Sequence, residues 1–260
     1  MSAEPNPGPG SDSGPRHRVL GAAPGVTLST PRADARTVTD PVDVPYPDPG
    51  ERNEYGECRR CPALVGCRER ISWGVGPRDA SLVVVGEAPG AGDPGAERWK
   101  GGNWTGMAYT SRASGRKVRA MIADLGHAGD AYYTNAVKCF PCEERPDADD
   151  PTGTGSPTNR EPTAEELANC RPYLLDEVAT VAPDWVLATG KHATRSLSAV
   201  DGRPVEGFLD MVLEPVALEG LDPPVLPLLH PSYQEVWLSR LDHTRESYLR
   251  EIRAVLDGRD

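Results

Sequence analysis

Apolar residues in this chain alternate between compact runs and stripes at helical spacing. The first run, Leu82 to Val85, is mostly β-branched and reads as a strand buried on both faces. The Gly-Glu-Ala-Pro-Gly of Gly86–Gly90 that follows must turn sharply at its carboxyl end. After a polar, Gly-rich loop carrying Trp99 and Trp104, Val118, Met121, Ile122 and Leu125 share one face of a helix over Lys117–Leu125. A second strand, Ala131–Val137, leaves the Gly129-Asp130 turn. Thr163 with Glu166 three residues on is a capping-box pattern, and Leu167, Cys170, Leu174, Val178 and Val181 continue it as a buried stripe. A third strand covers Asp184–Thr189 and a helix Lys191–Leu197. Residues 208–218 suit a strand pair or an edge strand. The fourth core strand, Val225–Leu229, ends at His230-Pro231-Ser232, and a last helix from about Asp242 puts Arg245, Leu249, Ile252 and Leu256 in register. Strand and helix in alternation predict a parallel α/β sandwich in one domain.

Composition adds the margins. Residues 1–50 are rich in Pro, Gly, Ser and Asp without a lasting hydrophobic period, so a disordered tail is expected there, and residues 140–158 read as a long surface loop. No run approaches the roughly 20 apolar residues of a membrane helix, and the N-terminus lacks the apolar core of a signal peptide, so a soluble cytoplasmic protein is expected. The 39 acidic against 28 basic residues give a formal charge of −11. That balance argues against broad nonspecific attraction to nucleic acid and leaves room only for a local basic patch.

Three polar displays fall at the carboxyl ends of three strands: Glu87, Thr134 with Asn135, and His230. They converge on one crevice if the strands are parallel neighbours. Each has an ordinary alternative, namely a loop carboxylate in water, an amide satisfying nearby backbone, and a loop-capping imidazole. The cysteines form a second group. Cys58 and Cys61 make a Cys-x2-Cys turn, and Cys139 and Cys170 could complete a set of four thiolates, which suits tetrahedral zinc or a four-iron cluster alike. Without a secretory signal, disulfides are the less expected use of six cysteines, and Cys67 and Cys142 read as buried free thiols.

Five motifs occur together in one order: Gly86–Gly90, Thr134–Cys139 (Thr-Asn-Ala-Val-Lys-Cys), Asn159–Glu166 leading to Cys170, Pro183 before a strand ending Thr189-Gly190, and His230–Ser232. In that order they resemble the uracil-DNA glycosylase superfamily, and in particular its iron–sulfur family 4 enzymes of bacteria and archaea, over about residues 57–257. The resemblance implies a three-layer α/β/α sandwich with a four-stranded parallel central sheet. It also implies a [4Fe-4S] cluster on Cys58, Cys61, Cys139 and Cys170, with zinc as the alternative, and removal of uracil from DNA by a monomer. Asn135 would read the uracil edge, and His230 would donate to uracil O2 as negative charge develops. Glu87 would hold the attacking water or favour the cationic sugar. Gly86, Ala88, Trp104, Asn135 and Ser232 would line the base pocket, Trp104 within Gly101–Gly106 matching the family's stacking Phe. Lys138, Arg59 and Arg60 would face backbone phosphates.

The chain departs from the family at Asp93-Pro94, where a Glu-Asp pair is usual, at Asn103 in place of Pro, and in a longer segment before Trp104. Residues 140–157 are an insertion between two cluster ligands, and Ala88 stands where family 1 enzymes have an Asp. These departures motivate a second reading, a catalytically weak or inactive DNA-binding member of the superfamily with a structural cluster. A third is a zinc site in an unrelated α/β hydrolase.

Overall fold

The computed structural model describes residues 44–143 and 158–258. The expected disordered tail falls mostly on residues 1–43 and the expected surface loop mostly on 144–157, so those segments lie outside the described residues.

Five strands form one sheet: β1 (Leu82–Gly86), β2 (Ala131–Asn135), β3 (Trp185–Thr189), β4 (Val216–Leu218) and β5 (Leu221–Leu228), in the order β2-β1-β3-β5-β4. Strands β2, β1, β3 and β5 are parallel, with Val85 between Thr134 on one side and Ala188 on the other; β4 pairs antiparallel at the edge. The sheet is therefore mixed and five-stranded, which corrects the four-stranded parallel sheet expected. The added strand has three residues and is hairpinned to β5 through Glu219 and Gly220. It lies at the end of residues 208–218, where an edge strand was one of the two expectations, and it pairs antiparallel with β5. Phe208–Met211, the start of the segment read as a strand pair or edge strand, is a 3-10 turn instead.

The helices are α1 (Pro62–Cys67), α2 (Gly102–Thr105), α3 (Ser114–Asp124), α4 (Ala164–Val181), α5 (Lys191–Ser198), α6 (Gln234–Leu238) and α7 (Arg245–Leu256). Alternation along β1 divides the core between them. Val83 and Val85 pack with Tyr132, Val186 and Ala188 against Leu167, Leu174 and Val178 of α4 and Leu197 of α5. Leu82 and Val84 point the other way, with Tyr133, Leu187 and Leu226, against Val118 and Ile122 of α3 and Tyr248 and Ile252 of α7. Helices thus cover both faces of the sheet. The capping box of α4 is present: the Thr163 hydroxyl accepts the Glu166 N–H at 3.2 Å, and the Glu166 carboxylate accepts the Thr163 N–H at 2.8 Å. The last helix starts at Arg245 rather than Asp242, because Thr244 caps it and Asp242 takes a left-handed turn with φ 56°. Among the described residues no helix is long and apolar enough to cross a membrane.

Cys67 and Cys142 are joined in a disulfide, which corrects their reading as free thiols. The chain after β2 returns to the end of α1, where the Cys142 carbonyl accepts Arg160 Nε at 3.0 Å and the Glu143 N–H reaches Thr158 O at 3.1 Å. That proximity spans 75 residues of sequence and is created by the fold, so spacing could not reveal it. Closing so long a loop restricts the unfolded chain. Changing both cysteines to Ser should therefore cost about 2–4 kcal/mol of stability, read as a lower urea midpoint under non-reducing conditions and no change under reducing ones.

Candidate active site

At the carboxyl ends of the parallel strands, Gly86 (end of β1), Glu87 just after it, Asn135 (β2), Thr189 (β3) and His230 (after β5) meet in one open crevice. Ala88 and Tyr109 also line it. Gly86 leaves the room this needs: a Cβ there would lie 2.5 Å from Asn135 Oδ1 and 2.8 Å from the Tyr109 hydroxyl.

Asn135 is buried, and its backbone is held from below. The Lys138 ammonium donates to the Asn135 carbonyl at 2.7 Å, to the Thr134 hydroxyl at 2.6 Å and to the Glu177 carboxylate at 2.6 Å. Glu177, on α4, also accepts the Gly74 N–H at 3.0 Å and the Thr134 hydroxyl. Lys138 is 1% exposed and Glu177 0%. The phosphate contact expected of Lys138 is thereby corrected: its ammonium is inside the protein, bracing the end of β2.

His230 is fixed from both sides. The residue before it is anchored where the Leu229 N–H donates to the Tyr248 hydroxyl at 2.9 Å, and the Ser232 N–H donates to His230 Nδ1 at 3.2 Å. Burial, with His192 nearby, lowers the pKa of the ring. With Nδ1 accepting, the neutral ring carries its proton on Nε2, which is left as a donor. Ser232 does not line the crevice as expected; its contribution is that backbone N–H. Burial, aided by the Glu161 carboxylate, pushes the Glu87 carboxyl up to about 7. Near neutral pH it can therefore take or give a proton.

The aromatic wall is Tyr109, and the structure does not bring Trp104 to the crevice. Trp104 turns its indole N–H to the Ala91 carbonyl at 2.8 Å and packs beside Gly92. Tyr109 sits at φ 54°, a left-handed conformation costly for an aromatic residue. Arg119 of α3 holds it there, with Nε donating to the Tyr109 carbonyl at 3.0 Å, Nη2 to the Ala108 carbonyl at 3.3 Å, and the guanidinium 3.8 Å over the Tyr133 ring. Burial lowers that guanidinium to about 10. The Thr189 hydroxyl donates to the Val85 carbonyl at 3.1 Å, so in its 2.6 Å contact with Tyr109 it accepts. Sequence reasoning missed Tyr109, Thr189, Arg119 and Glu177. The loop before α3 carries three aromatics, Trp99, Trp104 and Tyr109, and local pattern does not say which of them reaches the crevice.

The four remaining cysteines, Cys58, Cys61, Cys139 and Cys170, are free thiols. Burial pushes Cys139 up to about 11 and raises Cys61 and Cys170, and the thiols add to one another's shifts. Each of these three has an N–H donor on its sulfur: Arg68 Nη1 on Cys139 at 3.0 Å, Asn169 Nδ2 on Cys61 at 3.5 Å, and the Lys138 backbone on Cys170. Arg68 also binds the Cys58 carbonyl at 2.6 Å. Among the described residues, no three His, Cys, Asp or Glu side chains are placed to hold a metal ion. As it stands the donor set is gathered for neither zinc nor a cluster. Four free thiols with N–H donors on sulfur are nonetheless the chemistry that either group would use.

Residues 73–256 match the family model described as the uracil DNA glycosylase superfamily. The chain is similar to the type-4 uracil-DNA glycosylases of Pyrobaculum aerophilum (30% identity, covering 59% of this chain and 66% of the relative), Archaeoglobus fulgidus (32%, covering 55% and 59%) and Thermotoga maritima (31%, covering 68% and 77%). The match therefore spans less than two thirds of the Pyrobaculum and Archaeoglobus proteins.

Proposed function

This chain belongs to the uracil DNA glycosylase superfamily, and from that premise we propose that it removes uracil from DNA, hydrolysing the N-glycosidic bond and leaving an abasic site. The observation that carries the reading is the convergence of Asn135, His230 and Glu87 on one crevice, with His230 fixed as a neutral Nε2 donor. A base inside a duplex is out of an enzyme's reach, so it must be turned out into a pocket that stacks it and bonds its polar edge. Tyr109 supplies the ring face and Asn135 the amide. As the bond from C1′ to N1 breaks, its electron pair moves onto the uracil, and His230 Nε2–H stabilises the charge at O2. Water adds to C1′, and its proton passes to the Glu87 carboxylate.

We further assign Cys58, Cys61, Cys139 and Cys170 to a [4Fe-4S] cluster, supported by the four free thiols and the N–H donors on three of them. The cluster would supply cross-linking rather than electron transfer, since hydrolysis moves no electrons. The proposed catalytic domain is 57–257, acting as a cytoplasmic monomer. Incubating the full chain with an oligonucleotide containing one uracil, followed by alkali, tests the excision: strand breaks at the uracil are expected. Binding to that DNA without any release across a wide salt range would instead favour the inactive DNA-binding reading.

A further inference from the structure

Beside the crevice, and sharing Glu87 and His230 with it, lies a second, open cleft. Glu161, shortly before α4, and His192, in the first turn of α5, also line it. That helix begins against His230: Gly190, its cap, takes φ 98°, and a Cβ there would lie 3.1 Å from the His230 Cβ. His192 Nε2 stands 3.2 Å from Glu161 Oε2, and Nδ1 is buried without a hydrogen-bond partner. Burial, with Arg195 and Lys191 nearby, outweighs Glu161 and lowers the pKa of the His192 ring. The neutral ring then carries its proton on Nε2 and donates it to the carboxylate. The His192 side chain is 9% exposed and that of Glu161 82%. Packing alone gives no reason to bury an imidazole with one nitrogen unpaired and the other spent on an exposed carboxylate. Nothing in the excision described above uses His192.

We propose that His192 is a positioning residue for the base of the reaction: its Nε2–H holds the Glu161 carboxylate in the cleft that Glu161 shares with Glu87. The inference rests on the proposed removal of uracil, with Glu87 taking the water's proton, and deepens that reading. An exposed carboxylate left to itself samples many rotamers, most of them out in water, and its field at a neighbour is screened. Tied to a buried ring, it keeps one place. Repulsion between two carboxylates makes each harder to ionise. Here it adds to burial in pushing Glu87 up to about 7. A carboxylate with that affinity for a proton is a stronger base than an ordinary one and still ionises near neutral pH. Of the other titratable groups that line the two spaces with Glu87, namely Tyr109, Lys191, His230 and Tyr233, none raises it as Glu161 does.

The test follows single-turnover uracil release by the full chain between about pH 5 and 9. In the wild type the climb in rate should be centred near 7, the value of Glu87. Glu161→Gln should bring the centre down by about half a unit and the plateau down by about twofold, because the weakened base ionises sooner but takes the proton less readily. His192→Phe should reproduce both changes, and the double variant should add nothing. His192→Gln, whose amide N–H reaches the place of Nε2–H, should keep the wild-type profile. If His192→Phe fails to fold, His192→Asn, too short to reach Glu161, takes its place. A centre that His192→Phe leaves unmoved, shifts that add in the double variant, or a shift as large in His192→Gln overturns the role of His192 and leaves the excision standing. Release by the wild type at no pH overturns the excision instead. The pairing is then read from the NMR titration of the isotope-labelled Glu87 carboxyl carbon in the same variants, where the same downward shift is expected and its absence overturns the pairing by itself.

Discussion

Replacing His230 with Ala should cut the single-turnover rate of uracil release by about 10²–10³, the usual cost of removing one preplaced donor to a developing anion. The size follows from preorganisation. Nδ1 is already occupied by the Ser232 N–H, Leu229 is tied to Tyr248, and burial keeps the ring neutral, so Nε2–H needs no reorganisation when charge appears. Substrate affinity should change much less, because the donor acts mainly on the departing base. The pH profile belongs to Glu87. Its carboxyl is raised to about 7 by burial and by Glu161, so the ionised form that takes the water's proton gains population as pH rises through 7. Burial and His192 lower the pKa of His230, which favours its neutral form over the same range. The rate should therefore climb between about pH 6 and 8 and then level, and Glu87→Gln should flatten the climb at a lower plateau. The linkage has the opposite sign for stability. A folded carboxyl held above its unfolded pKa favours folding at low pH, and that contribution is lost as pH rises through 7, so Glu87→Gln should gain stability over the wild type at pH 8. A wild-type rate that is flat across pH 6 to 8 would remove Glu87 from the chemistry.

What the sequence made legible was the part of the site carried by local pattern. Each of Glu87, Asn135 and His230 ends a run of buried apolar residues. Parallel pairing of β1 with β2 and β3, and of β3 with β5, then brings the ends together without further information. The capping box of α4 was readable for the same reason, its partners being three residues apart. The missed features are contacts between distant segments. Tyr109 reaches the crevice only because Arg119, ten residues on, holds it in a left-handed turn that propensity would not choose. Cys67 meets Cys142 across the fold. Lys138, set among Ala136, Val137, Cys139 and Phe140, was expected to face phosphates only through the resemblance, and the arrival of Glu177 from α4 explains its burial.

That pair carries the other large effect. Lys138→Met leaves the Glu177 carboxylate without its cation where neither side chain meets water, which should cost about 3–5 kcal/mol, a large share of the 5–15 kcal/mol that holds a typical domain together. Removing both charges in Lys138→Met/Glu177→Gln should restore most of that stability, because the Gln carbonyl can still accept the Gly74 N–H and no buried charge is left alone. The rate should not return with it. The donor to the Asn135 carbonyl is gone in both variants, and the amide proposed to read the uracil edge is then free to shift by the fraction of an ångström that such positioning cannot tolerate. Urea unfolding and single-turnover uracil release, measured on both variants, separate the two roles: stability and rate recovering together would make the pair a matter of folding alone. Stability recovering while the rate stays low would make Lys138 and Glu177 positioning residues for Asn135, and would account for a buried ion pair that an apolar replacement could match for stability but not for placement.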